Sequence, residues 1–342
     1  MTDPTTYGER PFAKIQYGKE VKTTHGTAVA ATKILLGDIF PVASDRKPSY
    51  PEDALGVRAR AMRAIVYQYM AQGTLKISNG YYQALPLLFS CGLKGDVTAA
   101  ETPPASGAYL WTFTPSPTAQ NTPDSITLEY GDNVQAFEVE YMMFQRLKLT
   151  GAIAQGQGDS PVSLEAEFFG RQLSTSTFTG ALSLPTVQEI NAKNARFYRD
   201  TTWAGVGGTE ITHSIRKFDV EILTGVHPKF LGSAAKYFDV HGEGYHDVKV
   251  TLDLEGTDLA EAIRLVHASQ TMNVIRISIP GPAIGAGAYG LVVDVSGFWE
   301  SVTPMASEDK GNNITTAVLH GTYDPTGAKM LAVTATTNAN TI

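Results

Sequence analysis

Apolar and acidic side chains alternate along short stretches of this chain, and that alternation constrains the fold most. In residues 137–141, three apolar side chains are separated by Glu138 and Glu140. A period of two places successive side chains on opposite faces of a β-strand, with one dry face and one wet face. Such strands form antiparallel sheets that bury one face and expose the other. The pattern therefore predicts a mainly β protein.

The same alternation recurs in residues 164–168 and 247–253. The acidic residues on the wet faces of these predicted strands are Glu138, Glu140, Glu165, Glu167, Asp247 and Asp253. Their spacing along the strands favours a hydrated sheet surface over a pair of catalytic carboxylates. Further strands are predicted at residues 61–69, 74–78, 109–113, 217–223, 274–279 and 289–295.

Two segments have the periodicity of a helix. Residues 257–269 place apolar side chains at i, i+3, i+4 and i+7, with Asp258 and Glu261 spaced as a capping box. Residues 79–91 form the second candidate, in which Pro86 should kink or shorten the helix. The sequence thus predicts one helix in each half of the chain.

The order of these elements suggests an internal repeat, because a strand runs into a helix in both halves. Aligning the chain with itself without gaps pairs Phe137 with Leu291. The halves would meet within residues 180–212. We therefore predict two tandem β-sandwich or β-barrel domains, residues 1–180 and 181–342, each with one α-helix flanking its sheet.

Composition excludes several classes of protein. The chain has 342 residues, a net charge of −7 and one cysteine, which argues against a basic nucleic-acid clamp, a disulfide framework and a cysteine zinc cluster. No run approaches the roughly 18 consecutive apolar residues of a membrane span. The N-terminus lacks a basic segment followed by an apolar one, so we expect no secretory signal and a soluble protein assembled in the cytoplasm.

Few residues suggest chemistry. His241, Glu243 and His246 could hold a metal, although their spacing favours a surface turn. The glycine-rich residues 281–290 precede a strand and not a helix, which indicates a hairpin instead of a phosphate loop. Cys91 follows an apolar run and is predicted to be a buried structural thiol. We expect no enzyme activity, no metal and no cofactor.

Residues 22–33 (KTTHGTAVAATK) contain a T-x-x-G-T-A segment and resemble the start of phage tail tube proteins. The β-rich halves, the single helix in each and the low charge agree with that family. The chain is similar to the double-domain type of long, flexible-tailed phages, in which three subunits mimic a ring of six. The resemblance implies two tail-tube-like domains, a trimeric ring that stacks into the tail tube of the virion, and a conduit for DNA ejection. It also implies a tape measure protein and tail-end proteins as partners, with no specific DNA binding and no membrane.

Two groups of residues acquire expected roles in such a tube. The six acidic residues of the wet strand faces become candidates for the lumen wall, where negative charge would repel DNA phosphates within a Debye length of about 8 Å. Residues 43–57 form a long segment without a core pattern, expected to be a loop that contacts the next ring, with residues 225–235 as its counterpart. The candidate charges for that contact are Asp45, Arg46, Lys47, Glu52 and Asp53.

Three other functions remain open from the sequence. The chain could be another virion protein, such as a distal tail, baseplate hub or decoration protein. It could be a glycan-binding β-sandwich, for which the candidate stacking residues are Tyr81, Tyr82, Trp111, Trp203 and Trp299. The third is an enzyme that uses a metal at residues 241–246.

Overall fold

The computed structural model of the protein describes residues 8–39, 41–54, 56–59, 61–153 and 158–342. The first seven residues of the predicted first domain and residue 55 of the predicted loop lie outside these ranges. The described chain is mainly β, which confirms the predicted fold class. Among the described residues, no helix is long and apolar enough to cross a membrane.

The strands are numbered here in chain order. Those of the first half are β1 (Lys14–Lys19), β2 (Lys33–Ile34), β3 (Ala43–Ser49), β4 (Ile65–Ile77), β5 (Ala100–Glu101), β6 (Tyr109–Phe113), β7 (Ile126–Gly131), β8 (Ala136–Ala152), β9 (Val162–Gly170) and β10 (Leu173–Ser176). Those of the second half are β11 (Arg196–Asp200), β12 (Glu210–Ile211), β13 (Ile215–Leu223), β14 (Val226–Lys229), β15 (Val240–Glu243), β16 (Asp247–Glu255), β17 (Asn273–Ile284), β18 (Gly287–Asp309), β19 (Asn312–Gly321) and β20 (Leu331–Thr337).

Helix α2 (Asp258–Ser269) confirms the second predicted helix, but not its predicted cap. Thr257, not Asp258, is the N-cap residue, and its side chain makes no capping hydrogen bond. The backbone N–H of Glu261 instead donates to the carbonyl of Thr257. The predicted capping box is therefore wrong.

Helix α1 (Leu85–Gly92) is shorter than the predicted segment 79–91. A 3-10 turn at Tyr82–Ala84 precedes it, and Tyr81 is extended. Pro86 lies in the first turn, where an N–H has no helical partner to lose. Proline therefore fixes where this helix begins and does not kink it.

Both halves of the chain have the same order of hydrogen-bonded strands. In the first half the order is β1–β7–β8–β9–β4–β3, and in the second half it is β11–β17–β18–β19–β16–β13. In addition, β10 pairs with the first residues of β8, as β20 pairs with an early part of β18. The halves therefore share one topology, while the division into domains at residue 180 stays a prediction.

The residue register of the repeat differs from an ungapped alignment. β8 has a bulge at Gln145 and β18 has one at Glu300, which makes Phe144 equivalent to Trp299. β8 is irregular again near Tyr141, where φ is 52°, whereas β18 pairs evenly with β17 there. The ungapped alignment is therefore one residue out of register at Phe144, and the irregularity near Tyr141 shifts it by one more, so the pairing of Phe137 with Leu291 is wrong.

One face of these sheets is apolar and forms the core. Leu147 of β8, Val220 of β13 and Val250 of β16 belong to a single buried cluster. Phe89 of α1 and Ile263 of α2 are buried in the same cluster. Both helices therefore pack on the apolar side and leave the opposite face of the strands open.

The predicted loop 43–57 is partly a strand, which corrects the sequence prediction. Residues 43–49 form β3, which pairs with β4. β4 joins residues 65–69 of the predicted strand 61–69 and residues 74–77 of the predicted strand 74–78 into one long strand. Most side chains of β3 are exposed, so no apolar alternation marked it as a strand. In the second half, the counterpart connection between β13 and β16 contains the hairpin β14–β15.

Candidate functional site

The open face of the sheet is polar and runs across both halves of the chain. It is formed by the half-exposed side chains of β4, β9, the C-terminal part of β8, β13, β16 and β19, and we call it the polar face. One row of directly opposed residues crosses all six strands: Lys76, Glu165, Lys148, Glu221, Lys249 and His320. Cations and carboxylates thus alternate over the first five strands of the row, and cross-strand pairs of opposite charge stabilise a sheet.

Arg146 on β8 binds three carboxylates at the centre of the polar face. Its Nη1 donates to Glu167 at 2.8 Å and to Glu165 at 3.3 Å, and its Nε donates to Glu221 at 2.5 Å. The Arg146 side chain is only 20% exposed. Desolvation lowers the pKa of this guanidinium, but the hydrogen bond and charge of Glu221, with those of Glu167, outweigh it and raise the pKa overall.

Other cations of the polar face are also held by carboxylates. Lys148 Nζ lies 2.9 Å from Asp219, and Lys249 Nζ lies 3.2 Å from Glu300. The first contact joins the neighbouring strands β8 and β13, at which the two halves meet, and the second reaches across β19 from β16 to β18. Arg146, Lys148 and Lys249 are therefore neutralised locally and are poor anchors for the phosphates of a passing nucleic acid.

Four of the six predicted lumen residues lie on the polar face. Glu165 and Glu167 bind Arg146 there, as described above. Asp247 lies 2.8 Å from Nε2 of His320, and Asp253 accepts a hydrogen bond of 2.8 Å from the hydroxyl of Thr316. Sequence alternation therefore placed these residues on wet faces correctly. Alternation also places Lys249 between Asp247 and Asp253, but it could not pair Arg146 with Glu165 and Glu167, because these residues lie on different strands.

Glu138 and Glu140 are not part of the polar face. They lie on the N-terminal half of β8, where its neighbours are β7 and β10. Glu138 is directly opposite the buried Glu129 of β7. Burial and the charge of Glu129 raise the pKa of Glu138, while burial and the charge of Glu138 raise the pKa of Glu140.

The predicted inter-ring charges divide between a strand and the tip of an arm. Asp45, Arg46 and Lys47 lie on β3, where Lys47 pairs with Asp45 at 3.3 Å. Glu52 and Asp53 follow the end of β3, and Asp53 accepts two hydrogen bonds of 3.2 Å from Arg63. β3, β4 and the connection between them therefore form a hairpin arm with charges along its length.

A duplicated sheet protein is expected to have exposed strand edges, and the structure shows which edges these are. At the junction of the two halves, the outer edge of β8 pairs with β13 over Arg146–Ala152 and Lys217–Leu223. The equivalent edges are those of β18 after Gly297 and of β3. Among the described residues these two edges have no strand partner. Runs of small polar residues such as Ser301 and Thr303 were the only sequence signal.

The T-x-x-G-T-A segment has a structural role near this junction. The N–H of Gly26, whose φ is 77°, donates to the buried carboxylate of Glu20 at 2.7 Å. A Cβ at residue 26 would collide with the guanidinium of Arg171. His25 stacks on Tyr141 of β8 with ring centroids 5.1 Å apart. The segment thus packs closely against Tyr141 of β8 and against Arg171.

The residues of the metal alternative are engaged in other contacts. Glu243 accepts hydrogen bonds from the backbone N–H groups of Asn121 and Thr122, at 2.7 and 2.9 Å. His241 Nδ1 is 3.0 Å from the hydroxyl of Tyr141. The described residues include no group of three or more His, Cys, Asp and Glu side chains placed to hold a metal.

The rings of the glycan alternative are mostly inside the protein. Tyr81, Tyr82, Trp111 and Trp299 are buried core residues. Trp203 is half-buried, and Lys329 Nζ lies 4.4 Å from the centroid of its ring. These aromatic residues therefore form no open platform for a sugar. Cys91 is buried as predicted, and burial raises the pKa of its thiol.

The polar face, the two free edges and the hairpin arm are thus the features that can carry function. No protein-family model matches the chain, and no curated protein is significantly similar to it.

Proposed function

We propose that this chain is a structural subunit of a phage tail tube, in which copies join into rings that stack around a DNA channel. One observation carries the proposal: the two halves of the chain are joined edge to edge through β8 and β13, and the equivalent edges of β18 and β3 are open among the described residues. Exposed strand edges recruit other chains. A second copy offers the complementary edge.

Edge pairing of this kind favours a closed ring. The edge of β18 and the edge of β3 are different surfaces, so each contact between copies is head-to-tail. Head-to-tail contacts close into a ring when the rotation per subunit allows it. In this ring each half of the chain would contribute four neighbouring strands to one continuous barrel: β3, β4, β9 and β8, then β13, β16, β19 and β18.

Barrel dimensions favour three copies. Three copies supply about 24 strands, which at about 4.8 Å spacing give a backbone diameter of about 37 Å before tilt. A strand tilt of about 40° widens the backbone diameter of this barrel of about 24 strands to about 48 Å. Side chains that point inward reduce it by about 10 Å, which leaves a bore of about 38 Å. A duplex with grooves about 8 Å deep is about 20 Å across. Two copies would leave a bore of only about 20 Å by the same arithmetic, so three is the smallest number with clearance.

The polar face is the surface that suits the lumen. Because α1 and α2 pack on the apolar side of the strands, the other side can face a channel. Three of its cations are held by carboxylates: Arg146 by Glu165, Glu167 and Glu221, Lys148 by Asp219, and Lys249 by Glu300. DNA affinity depends on free Lys and Arg that neutralise phosphates. A wall with neutralised cations lets DNA slide without adhering.

The remaining family roles follow from this placement as parts of the proposal. Glu52 and Asp53, beyond the end of β3, are positioned to contact the next ring of the stack. The tube is a virion component, and the tape measure protein and the tail-end proteins are its partners. DNA passes through without sequence-specific contacts.

Electron microscopy of the purified protein tests the proposal. Over a range of increasing concentrations we expect hollow filaments with a central hole in negative stain. Single rings or flat patches that never stack would favour a distal tail, baseplate hub or decoration protein. A protein that stays monomeric at every concentration would contradict self-assembly.

Charge reversal tests the lumen assignment. In assembled particles, Glu165→Lys with Glu167→Lys should slow genome ejection, because free cations would hold DNA phosphates. The milder pair Glu165→Gln with Glu167→Gln removes two of the three carboxylates that hold Arg146 without adding a cation, and it should slow ejection less. Glu261→Lys on α2, on the other side of the sheet, is the matched control. Unchanged ejection from correctly assembled tubes of both polar-face variants would refute the assignment.

A further inference from the structure

We propose a specific register for the contact between copies: Ser44 of one copy lies directly opposite Val302 of the next, in an antiparallel pair of β3 with β18. Ala43 then faces Thr303, and Asp45 faces Ser301. The inference rests on the proposed self-assembly, but it concerns which residues meet. We call this contact the seam, and the contact between β8 and β13 the junction.

The β18 side of the seam follows from the bulges in the sheet. Both β8 and β18 skip one residue in their pairing with the next strand, at Gln145 and at Glu300. Aligning these bulges makes Leu147 of β8 equivalent to Val302 of β18. Leu147 is opposite Ile222 of β13 in the junction.

The β3 side follows from two further strand pairs. β9 and β19 are aligned by the same bulges, so Phe168 is equivalent to Leu319. Their partners on the next strand are Gly73 and Val250, which aligns β4 with β16 and makes Ala71 equivalent to Val248.

Ala71 and Val248 are both buried, as equivalent positions should be. Ala71 pairs with Ser44, and Val248 pairs with Ile222. Ser44 is therefore the counterpart of Ile222, and it takes the same place opposite Val302 that Ile222 has opposite Leu147.

The hydrogen-bonding groups of Ser44 point in the direction that this register requires. The N–H of Tyr69 donates to the carbonyl of Lys236, and so it points away from its partner Arg46. In an antiparallel pair both partners of such a position turn their N–H and C=O groups outward, and the pattern recurs at every second residue. Ser44 and Arg46 therefore present their N–H and C=O groups at the open edge of β3.

The junction has the same phase. The N–H of Thr224 donates to the carbonyl of Gln145 at 3.0 Å, which continues the β13–β8 ladder by one residue beyond its last paired position. Ile222, two residues earlier, is then also a hydrogen-bonded position. Ser44 and Ile222 therefore agree in hydrogen-bonding phase as well as in register.

The chemistry of the seam differs from that of the junction. The junction is crossed by ion pairs, Arg146 with Glu221 and Lys148 with Asp219. At the seam, Ser301 and Thr303 replace the two cations and Ala43 replaces Glu221. The register also places Arg46 opposite Glu300, but one exposed pair of opposite charge contributes little to stability. Backbone hydrogen bonds must therefore supply most of the contact between the copies, and seam formation should depend little on salt.

Cysteine pairs test the register. Two chains, one with Ser44→Cys and one with Val302→Cys, are mixed under assembly conditions and oxidised. The Cα atoms of a hydrogen-bonded antiparallel pair are about 5.5 Å apart, which suits a disulfide. We expect a covalent dimer as the main product of the mixture, with similar yield in about 50 mM and about 1 M salt, where the Debye length falls to about 3 Å.

A one-residue slip is the matched control. In a mixture of Asp45→Cys with Val302→Cys the two side chains point to opposite faces of the sheet. We expect the yield of this dimer to be at least about tenfold lower. The native Cys91 is buried and stays in place in all variants. Equal yields for the two mixtures, or a higher yield for the slipped pair, would overturn the register.

A proline variant tests the edge without a disulfide. Ser44→Pro removes an N–H that points away from β4, and so it should leave the β3–β4 pairing intact but block the seam. Ser44→Ala retains that N–H and should assemble like the native protein. Unchanged thermal unfolding of the monomer confirms that the proline variant folds. Normal assembly of folded Ser44→Pro would overturn the inference.

The outcomes separate this inference from the proposed function. Hollow tubes without the Ser44–Val302 disulfide would refute the register and leave the tube intact. A specific disulfide without tubes at any concentration would support the seam and refute the tail tube.

Discussion

Removal of the Arg146 side chain should destabilise the fold, because this residue neutralises three carboxylates across the junction of the two halves. In Arg146→Ala, the carboxylates of Glu165 and Glu167 on β9 and of Glu221 on β13 remain close together but lose the cation that they share. Truncation of one partner of a fully buried ion pair costs about 3–5 kcal/mol, whereas exposed pairs contribute about 0–1 kcal/mol. The Arg146 side chain is 20% exposed and its partners are 35–37% exposed. We therefore expect a loss of about 2–3 kcal/mol in the free energy of unfolding.

Urea unfolding of the monomer at low concentration measures this loss. Lys76→Ala is the matched control, since Lys76 is 62% exposed and lies 3.9 Å from Glu165, and it should cost less than about 0.5 kcal/mol. A double-mutant cycle of Arg146→Ala with Glu221→Gln should give a coupling energy of about 1–2 kcal/mol. A loss below about 0.5 kcal/mol for Arg146→Ala would refute the reasoning, since it would mean that the three contacts are no stronger than exposed ones.

Three further predictions concern the segments around the junction. Burial lowers the pKa of His25 and His241. The folded state then binds fewer protons than the unfolded chain, so the free energy of unfolding should fall as the pH drops through about 6.5. Urea unfolding at pH 7.5 and 5.5 measures this fall, which should be smaller in His241→Gln than in the native protein. Glu20 is 3% exposed and accepts hydrogen bonds from two hydroxyls and two backbone N–H groups. Glu20→Gln places an amide donor opposite these donors and should lower the free energy of unfolding by about 2–4 kcal/mol. A thermal melt no different from that of the native protein would refute this. Cys91 should react with a thiol reagent only as fast as the protein unfolds, and a fast reaction in native buffer would contradict its burial.

Local pattern was sufficient for much of the fold. Strands with one buried face, such as β9 and β16, can be predicted from the sequence, because buried apolar and half-exposed polar residues alternate along them. Helix α2 was equally clear, since its apolar stripe packs on the core. The arm strand β3 was missed for the corresponding reason: most of its side chains are exposed, so neither period appears. Alternation placed four acidic residues and Lys249 on the polar face, but it could not show the ion pairs that join different strands.

The amino-acid sequence by itself determined the mainly β class, the wet and dry faces of most strands, one helix and the burial of Cys91, because each depends on the spacing of side chains along one element. Only the tertiary structure decided that both halves repeat one strand order and that Arg146 binds Glu165, Glu167 and Glu221. It also decided that, within the part of the chain the structure describes, one edge of β3 and one edge of β18 have no strand partner. These features arise from pairing between strands far apart in the chain, where bulges such as those at Gln145 and Glu300 set the register. Backbone hydrogen bonds fix that register. Because every residue type except proline has the same backbone donor and acceptor, the sequence does not show which strands these bonds join.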